Sequence, residues 1–262
     1  MFFYKKYLNY KLFNGNGKTL VFIHGLMESI KIWNIITYNL CKNYRILLID
    51  LPGHGRSKNF YKINTMERIA KMIKNILKKE KIKKAFFIGH SMGGYVILSL
   101  AEKYPDLFLG ICFINSTPEG DSIKRIENRI KSINLARKNY SLFVSSNIRN
   151  FFNPNKIFFL KKNFLFFKKI ALSTSVEGVI SCIKGIILRK EKFVFLKNFF
   201  IPKLFIFGDF DLLLNNNLLY NKLKKFNYTY VIKIKTGHMS HLENPKMILH
   251  ILKFFIKNNN IY

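Results

Sequence analysis

The chain has 262 residues, 49% of them hydrophobic, and a formal net charge of +31. That length allows one large domain, or one domain with a sizeable insertion, and that apolar share excludes a disordered chain. The 45 Lys and Arg residues are spread over almost every segment, which excludes a single basic tract or face of the kind that reads nucleic acid. Phe3 to Phe13 alternates loosely and reads as an opening strand pair, turning at Asn14-Gly15-Asn16-Gly17. Thr19 to Ile23 is a buried-strand run that ends at His24-Gly25-Leu26-Met27. Arg45 to Asp50 is a second, ending at Leu51-Pro52-Gly53-His54-Gly55-Arg56-Ser57.

A helix follows, with Asn64 as its cap and Glu67 as the reciprocal partner. Met66, Ile69, Ala70, Ile73 and Leu77 fall at helical spacing and make its apolar face. Ala85 to Ile88 is the next strand, and Gly94 to Lys103 is helix-like. Leu109 to Asn115 is another strand. The alternation breaks from Pro118 to about Phe200, where helical stretches are expected over 121–138, 140–152, 155–171 and 176–189. In the first of these Ile123, Ile126, Ile130 and Ile133 make one apolar side. Strands resume over 202–208 and 228–235, and Pro245 to Lys257 closes the chain as an amphipathic helix.

This order implies an α/β fold: a mostly parallel central sheet flanked by helices. The expected core is 1–118 with 201–262, and 119–200 is expected to be a helical cap insertion. Cys41, Cys112 and Cys182 are scattered and form no Cys-x-x-Cys pair, which favours a reducing, cytoplasmic setting. The first ten residues hold Lys5 and Lys6 and do not read as a signal peptide. No run of about 18 uncharged apolar residues occurs, so no membrane span is expected. Abundant Lys, Asn, Ile and Phe together fit an AT-rich coding sequence better than a nucleic-acid partner, and none is expected.

Chemistry concentrates at Gly89-His90-Ser91-Met92-Gly93. Strand, sharp turn and helix are the setting of a nucleophile elbow, where a serine hydroxyl projects clear of the backbone. Glycines on either side remove Cβ atoms that would clash. A serine needs a base to take its proton, and the base needs a carboxylate to hold its tautomer. The chain offers Ser91, Asp211 and His238 in that order, each at the end of an expected strand. His241 is a rival base, and Asp209 a rival acid expected to bond backbone N–H groups of its loop.

Five stretches carry a family resemblance. They are Phe22-Ile23-His24-Gly25 with Trp33 downstream, Asp50 through Ser57, Gly89 through Gly94, Gly208-Asp209-Phe210-Asp211, and Gly237 through Pro245. Over nearly its whole length the chain resembles the α/β-hydrolases of the lipase/esterase-like superfamily. The resemblance implies Ser91 as nucleophile, His238 as general base and then acid, and Asp211 as orienting carboxylate. It implies an oxyanion hole from the backbone N–H groups of Leu26 and Met92, and scaffold roles for His24, His54 and His90. No cofactor or metal is implied.

The reading that follows is hydrolysis of a small-molecule carboxylic ester or thioester through an acyl-enzyme. A lyase of the menaquinone-pathway type, or a C–C bond hydrolase, on the same triad is an alternative. Arg125 and Arg129, one turn apart, are its candidate carboxylate-binding residues, although Tyr95 stands where that lyase group usually has Arg. A non-catalytic binding module on the same fold is a further alternative. The cap phenylalanines Phe151, Phe152, Phe164 and Phe167 are candidates for an acyl pocket. Oligomeric state is not legible in the sequence.

Overall fold

Runs of Val, Ile, Leu and Phe bounded by Gly, Asn and His fold as short strands because β-branched and aromatic side chains pack well on a pleated surface. The computed structural model describes residues 7–259. Its strands are β1 Tyr10–Phe13, β2 Thr19–Ile23, β3 Arg45–Ile49, β4 Ala85–His90, β5 Phe108–Ile114, β6 Lys203–Gly208 and β7 Thr229–Ile234. They form one sheet in the order β1-β3-β2-β4-β5-β6-β7. Only β1 is antiparallel to its neighbour.

Side chains alternate between two apolar layers. Phe22, Phe86, Cys112 and Ile206 face one, and Ile23, Phe87, Phe113 and Phe207 face the other. Burial on both faces explains why the strands read as continuous apolar runs. The helices are α1 Asn34–Tyr38, α2 Met66–Lys79, α3 Met92–Lys103, α4 Ile123–Lys138, α5 Tyr140–Ile148, α6 Lys161–Leu172, α7 Val176–Ile187, α8 Phe193–Lys197, α9 Asn216–Leu223, α10 Ser240–Glu243 and α11 Pro245–Asn258. Thus α4 to α8 all lie between β5 and β6 in the chain. Helix α7 meets the loops of the sheet closely at two glycines. A Cβ on Gly178 would lie 2.5 Å from the Gly53 Cα, and one on Gly185 1.8 Å from the Asn64 carbonyl oxygen.

Several expectations need correction. The opening strand is the single β1, paired with β3 and not across the Asn14–Gly17 turn with β2; Phe3 to Lys6 lie outside the described residues. Thr65, not Asn64, caps α2, its Oγ1 accepting from Arg68 N at 3.2 Å. Asn64 is buried and donates instead to Asn59 Oδ1 and Ser181 Oγ. In α4 the isoleucines do not share one buried side: Ile123 and Ile130 are 79% and 50% exposed, whereas Ile133 is buried together with Ala136. Among the described residues no single helix is long and apolar enough to cross a membrane.

Candidate active site

A serine between a buried strand and a helix presents its hydroxyl only if the backbone turns sharply. Ser91 does so with φ 48° and ψ −117°, a conformation L-residues rarely adopt and which strain confines to well-supported sites. The support is local. A Cβ on Gly93 would lie 2.2 Å from the Ile23 carbonyl oxygen, and one on Gly89 2.8 Å from the Gly94 nitrogen. Ser91 N donates to Ile114 O at 3.0 Å, and Ser116 Oγ donates to Ser91 O at 2.8 Å.

The structure brings the three expected residues together at the carboxyl ends of the strands, where parallel sheets place ligand sites. His238 Nε2 is 2.9 Å from Ser91 Oγ, and its Nδ1 is 2.8 Å from Asp211 Oδ2. Burial opposes the Asp211 charge, but the His238 ring's charge and hydrogen bond, helped by Leu213 N and Asn115 Nδ2, hold it below the usual carboxylate value. Asn115 also donates to Gly237 O at 3.2 Å. It ties acid and base loops together, with φ 46°. Nothing local in the sequence marks this role.

Leu26 and Met92 border the cavity beside Ser91. Neither backbone N–H is taken up by another protein group among the described residues, so both are available to an oxygen bearing charge. His24 and His54 fix the surrounding loops. His24 Nε2 accepts from Leu51 N at 2.9 Å, and His54 Nε2 accepts from Met27 N at 3.1 Å. Burial lowers both histidines, His54 to about 3. His241 is buried too, its ring 4.3 Å from the His90 ring and 5.0 Å from that of Trp33. Neither of its nitrogens has a hydrogen-bond partner among the described residues.

A cavity of about 370 Å³ opens onto Ser91 and His238. Phe143, Phe151, Ile183 and Ile186 give it apolar walls, and Asn128, Ser132 and Asn147 polar ones. Of the four phenylalanines expected to line it, only Phe151 does. Phe152 and Phe167 are fully buried, and Phe164 packs on Phe152. Arg125 and Arg129 both reach the cavity wall, but each is engaged: Arg125 with Glu119 at 3.4 Å, Arg129 with Asp121. Arg189 also binds Asp121 and stacks over Tyr95, its guanidinium 4.1 Å from the ring centre. The thiols of Cys112 and Cys182 are buried, which pushes both up and leaves them poor nucleophiles.

Comparison with known proteins gives a consistent result. Residues 18–245 match the family described as alpha/beta hydrolase fold. The chain is 28% identical to the pimeloyl-(acyl-carrier protein) methyl ester esterase of Wigglesworthia glossinidia brevipalpis, over 96% of this chain and 98% of that one. Among solved structures it is similar to a thermophilic esterase from Thermogutta terrifontis, with a TM-score of 0.91 and 22% identity over 96% and 93% of the two chains. It is also similar to the enol-lactonase from Burkholderia xenovorans, with a TM-score of 0.88 and 20% identity over 95% and 96%.

Proposed function

The chain belongs to the α/β-hydrolase fold family and is a hydrolase of its ester-cleaving kind, and we propose that it cleaves a carboxylic ester or thioester through an acyl-enzyme on Ser91. The observation that carries this reading is the continuous relay Ser91 Oγ to His238 Nε2, and His238 Nδ1 to Asp211 Oδ2. In the first half-reaction Ser91 Oγ attacks the carbonyl carbon while His238 Nε2 takes its proton. The carbonyl oxygen becomes an oxyanion facing the Leu26 and Met92 N–H groups. Such a donor is worth about 2.7–4 kcal/mol to the barrier where one has been removed. Collapse expels the alcohol or thiol, which takes the proton from His238. Water then repeats the sequence against the Ser91 ester and releases the acid.

Residues 119–200 act in this reading as a cap. Their side chains supply the wall of the cavity opposite Ser91, with Phe143, Phe151, Ile183 and Ile186 against the acyl chain. The substrate named for the 28% identical relative, a methyl ester of an acyl group on a carrier protein, belongs to the class this site would accept. A carboxylate-binding lyase is less well supported, because Arg125 and Arg129 already pair with Glu119 and Asp121.

A fluorophosphonate should label Ser91 and no other serine. Ser91→Ala should remove turnover of acyl esters while leaving the thermal melt unchanged. Turnover persisting in a clean Ser91→Ala preparation would sink the mechanism.

A further inference from the structure

Besides His238 and His241, the motifs around Ser91 hold the buried histidines His24, His54 and His90, and their partners divide these three. His24 donates from Nδ1 to Gly25 O at 2.7 Å and accepts at Nε2 from Leu51 N. His54 donates from Nδ1 to Pro52 O at 2.9 Å and accepts at Nε2 from Met27 N. One donor and one acceptor make each of them neutral. His90 differs. Its Nδ1 is 2.7 Å from Glu28 Oε1, and its Nε2 is 2.9 Å from the carbonyl oxygen of His238. Both partners are acceptors, so a ring that satisfies both carries two protons and a positive charge.

Glu28 supplies the opposite charge and a second link. Its other oxygen, Oε2, accepts from Gly25 N at 2.6 Å, at the base of the loop that carries the Leu26 N–H. Glu28, His90 and His241 bring ligand-type atoms within 4.8 Å of one another. The 2.7 Å spacing of Nδ1 and Oε1 is that of a charged pair, although the Nδ1–H does not aim at the carboxylate within hydrogen-bond limits.

We propose that the buried Glu28–His90 ion pair is a positioning unit that sets the oxyanion loop and the general base from one link. On one side it holds Gly25 N, next to Leu26; on the other it holds the backbone of His238. The proposal rests on the assignment of Ser91 and His238 made above, and adds to it why the two loops keep register. The titratable groups around His90 are Glu28, His238, His241, Asp211 and His24. Burial works against a charged His90, but the Glu28 carboxylate overrides it and raises the imidazole above its usual value. Burial likewise opposes the Glu28 charge, and His90 overrides it, holding Glu28 at about 2. Burial and the nearby His90 charge push His241 well down, so it faces the pair as a neutral ring.

The test separates positioning from stability. Glu28→Gln or His90→Gln alone leaves an unpaired buried charge and is expected to destabilise the fold. The double variant E28Q/H90Q puts two neutral amides at the same places and removes both charges. It is expected to melt near the wild-type temperature yet to lose about 100-fold in kcat, the scale of an ångström's misplacement, with KM within about threefold. In the wild-type protein, nitrogen-15 spectra should show both ring nitrogens of His90 protonated at neutral pH. A folded double variant with wild-type kcat, or a His90 ring with one bare nitrogen, would overturn the proposal. A wild-type protein that neither labels at Ser91 nor turns over esters would overturn the hydrolase reading with it.

Discussion

Asp209 and Asp211 stand two residues apart after β6, and the turn sends them to different surroundings. Asp211 N donates to Gly208 O at 3.1 Å, which tucks its carboxylate inward against Asn115, Leu213 and His238. Asp209 keeps its side chain 35% exposed, with Oδ1 3.7 Å from Lys233 Nζ. That corrects the expectation that it bonds backbone N–H groups: a lysine on the neighbouring β7 is within reach, and no such backbone bond is present among the described residues. Asp211→Asn leaves a hydrogen-bonding group but reverses its donor preference toward Nδ1, so it should cost on the order of 10⁴ in kcat. Asp209→Asn removes only an exposed pair, worth about 0–1 kcal/mol of stability, and should leave kcat nearly intact. Steady-state kinetics on both folded variants decide between them, and the reverse ranking would refute the assignment. Asp211 was legible because its distance from a glycine follows a motif. Asn115 was not, because its partners come from two loops about a hundred residues further on.

Short elements and joints are where local reading ran out. The buried strands and α2 were legible because their apolar spacing is continuous and their bounds carry Gly, Asn or Pro. Helices α1, α8, α9 and α10 are not legible in the sequence, since five, five, eight and four residues give too few turns for a periodicity to show. The stripe in α4 was misread for a different reason: its inner face lines a cavity, so Arg125, Asn128, Arg129 and Ser132 point inward and two isoleucines outward. The joint at α10 has a consequence that pH exposes. Glu243 Oε1 accepts from Gly237 N at 2.9 Å and from Asn153 N at 3.2 Å, joining the loop of His238 to the helical segment. Burial outweighs these bonds and raises its carboxyl from 4.5 to about 7. The protonated form is therefore favoured by the fold. Its contribution is complete below the unfolded value of about 4.5 and is lost as pH rises through about 7. Buried neutral His54, held at about 3, works in the other direction, its contribution fading as pH falls from about 6.5. The two are separated by comparison with Glu243→Gln. Urea melts should show wild-type stability falling relative to Glu243→Gln between about pH 4.5 and about pH 7. A gap between the two proteins that does not change with pH would rule out this role for Glu243.

The whole molecule carries 45 Lys and Arg against 14 Asp and Glu, an excess of 31 positive charges. Among the described residues, ion pairs of Lys or Arg with carboxylates form at Arg125, Arg129, Arg189, Lys192 and Lys233, so most cations have no such partner. Salt acts on both classes of interaction. It weakens the few attractions, of which the exposed ones are worth about 0–1 kcal/mol each, and it weakens the far more numerous repulsions between lysines spread over every face. At an ionic strength of about 0.1 M the screening length is about 10 Å, so neighbouring lysines still interact at low salt and largely cease to at moderate salt. Self-repulsion is relieved when the chain expands, so it opposes the folded state. The balance of numbers makes the net effect of screening favourable to folding. The melting temperature is expected to rise by about 2 °C, the equivalent of about 1 kcal/mol for a chain of this length, between about 0.02 M and about 0.2 M chloride. Sodium and potassium chloride should act alike, because screening depends on ionic strength and not on the identity of the ion. The labelling rate of Ser91 by an uncharged probe should stay level over the same range, since the relay from Ser91 to Asp211 is buried and short. A melting temperature that is flat or falls with salt would mean that the scattered pairs, few as they are, outweigh the repulsion of the remaining cations.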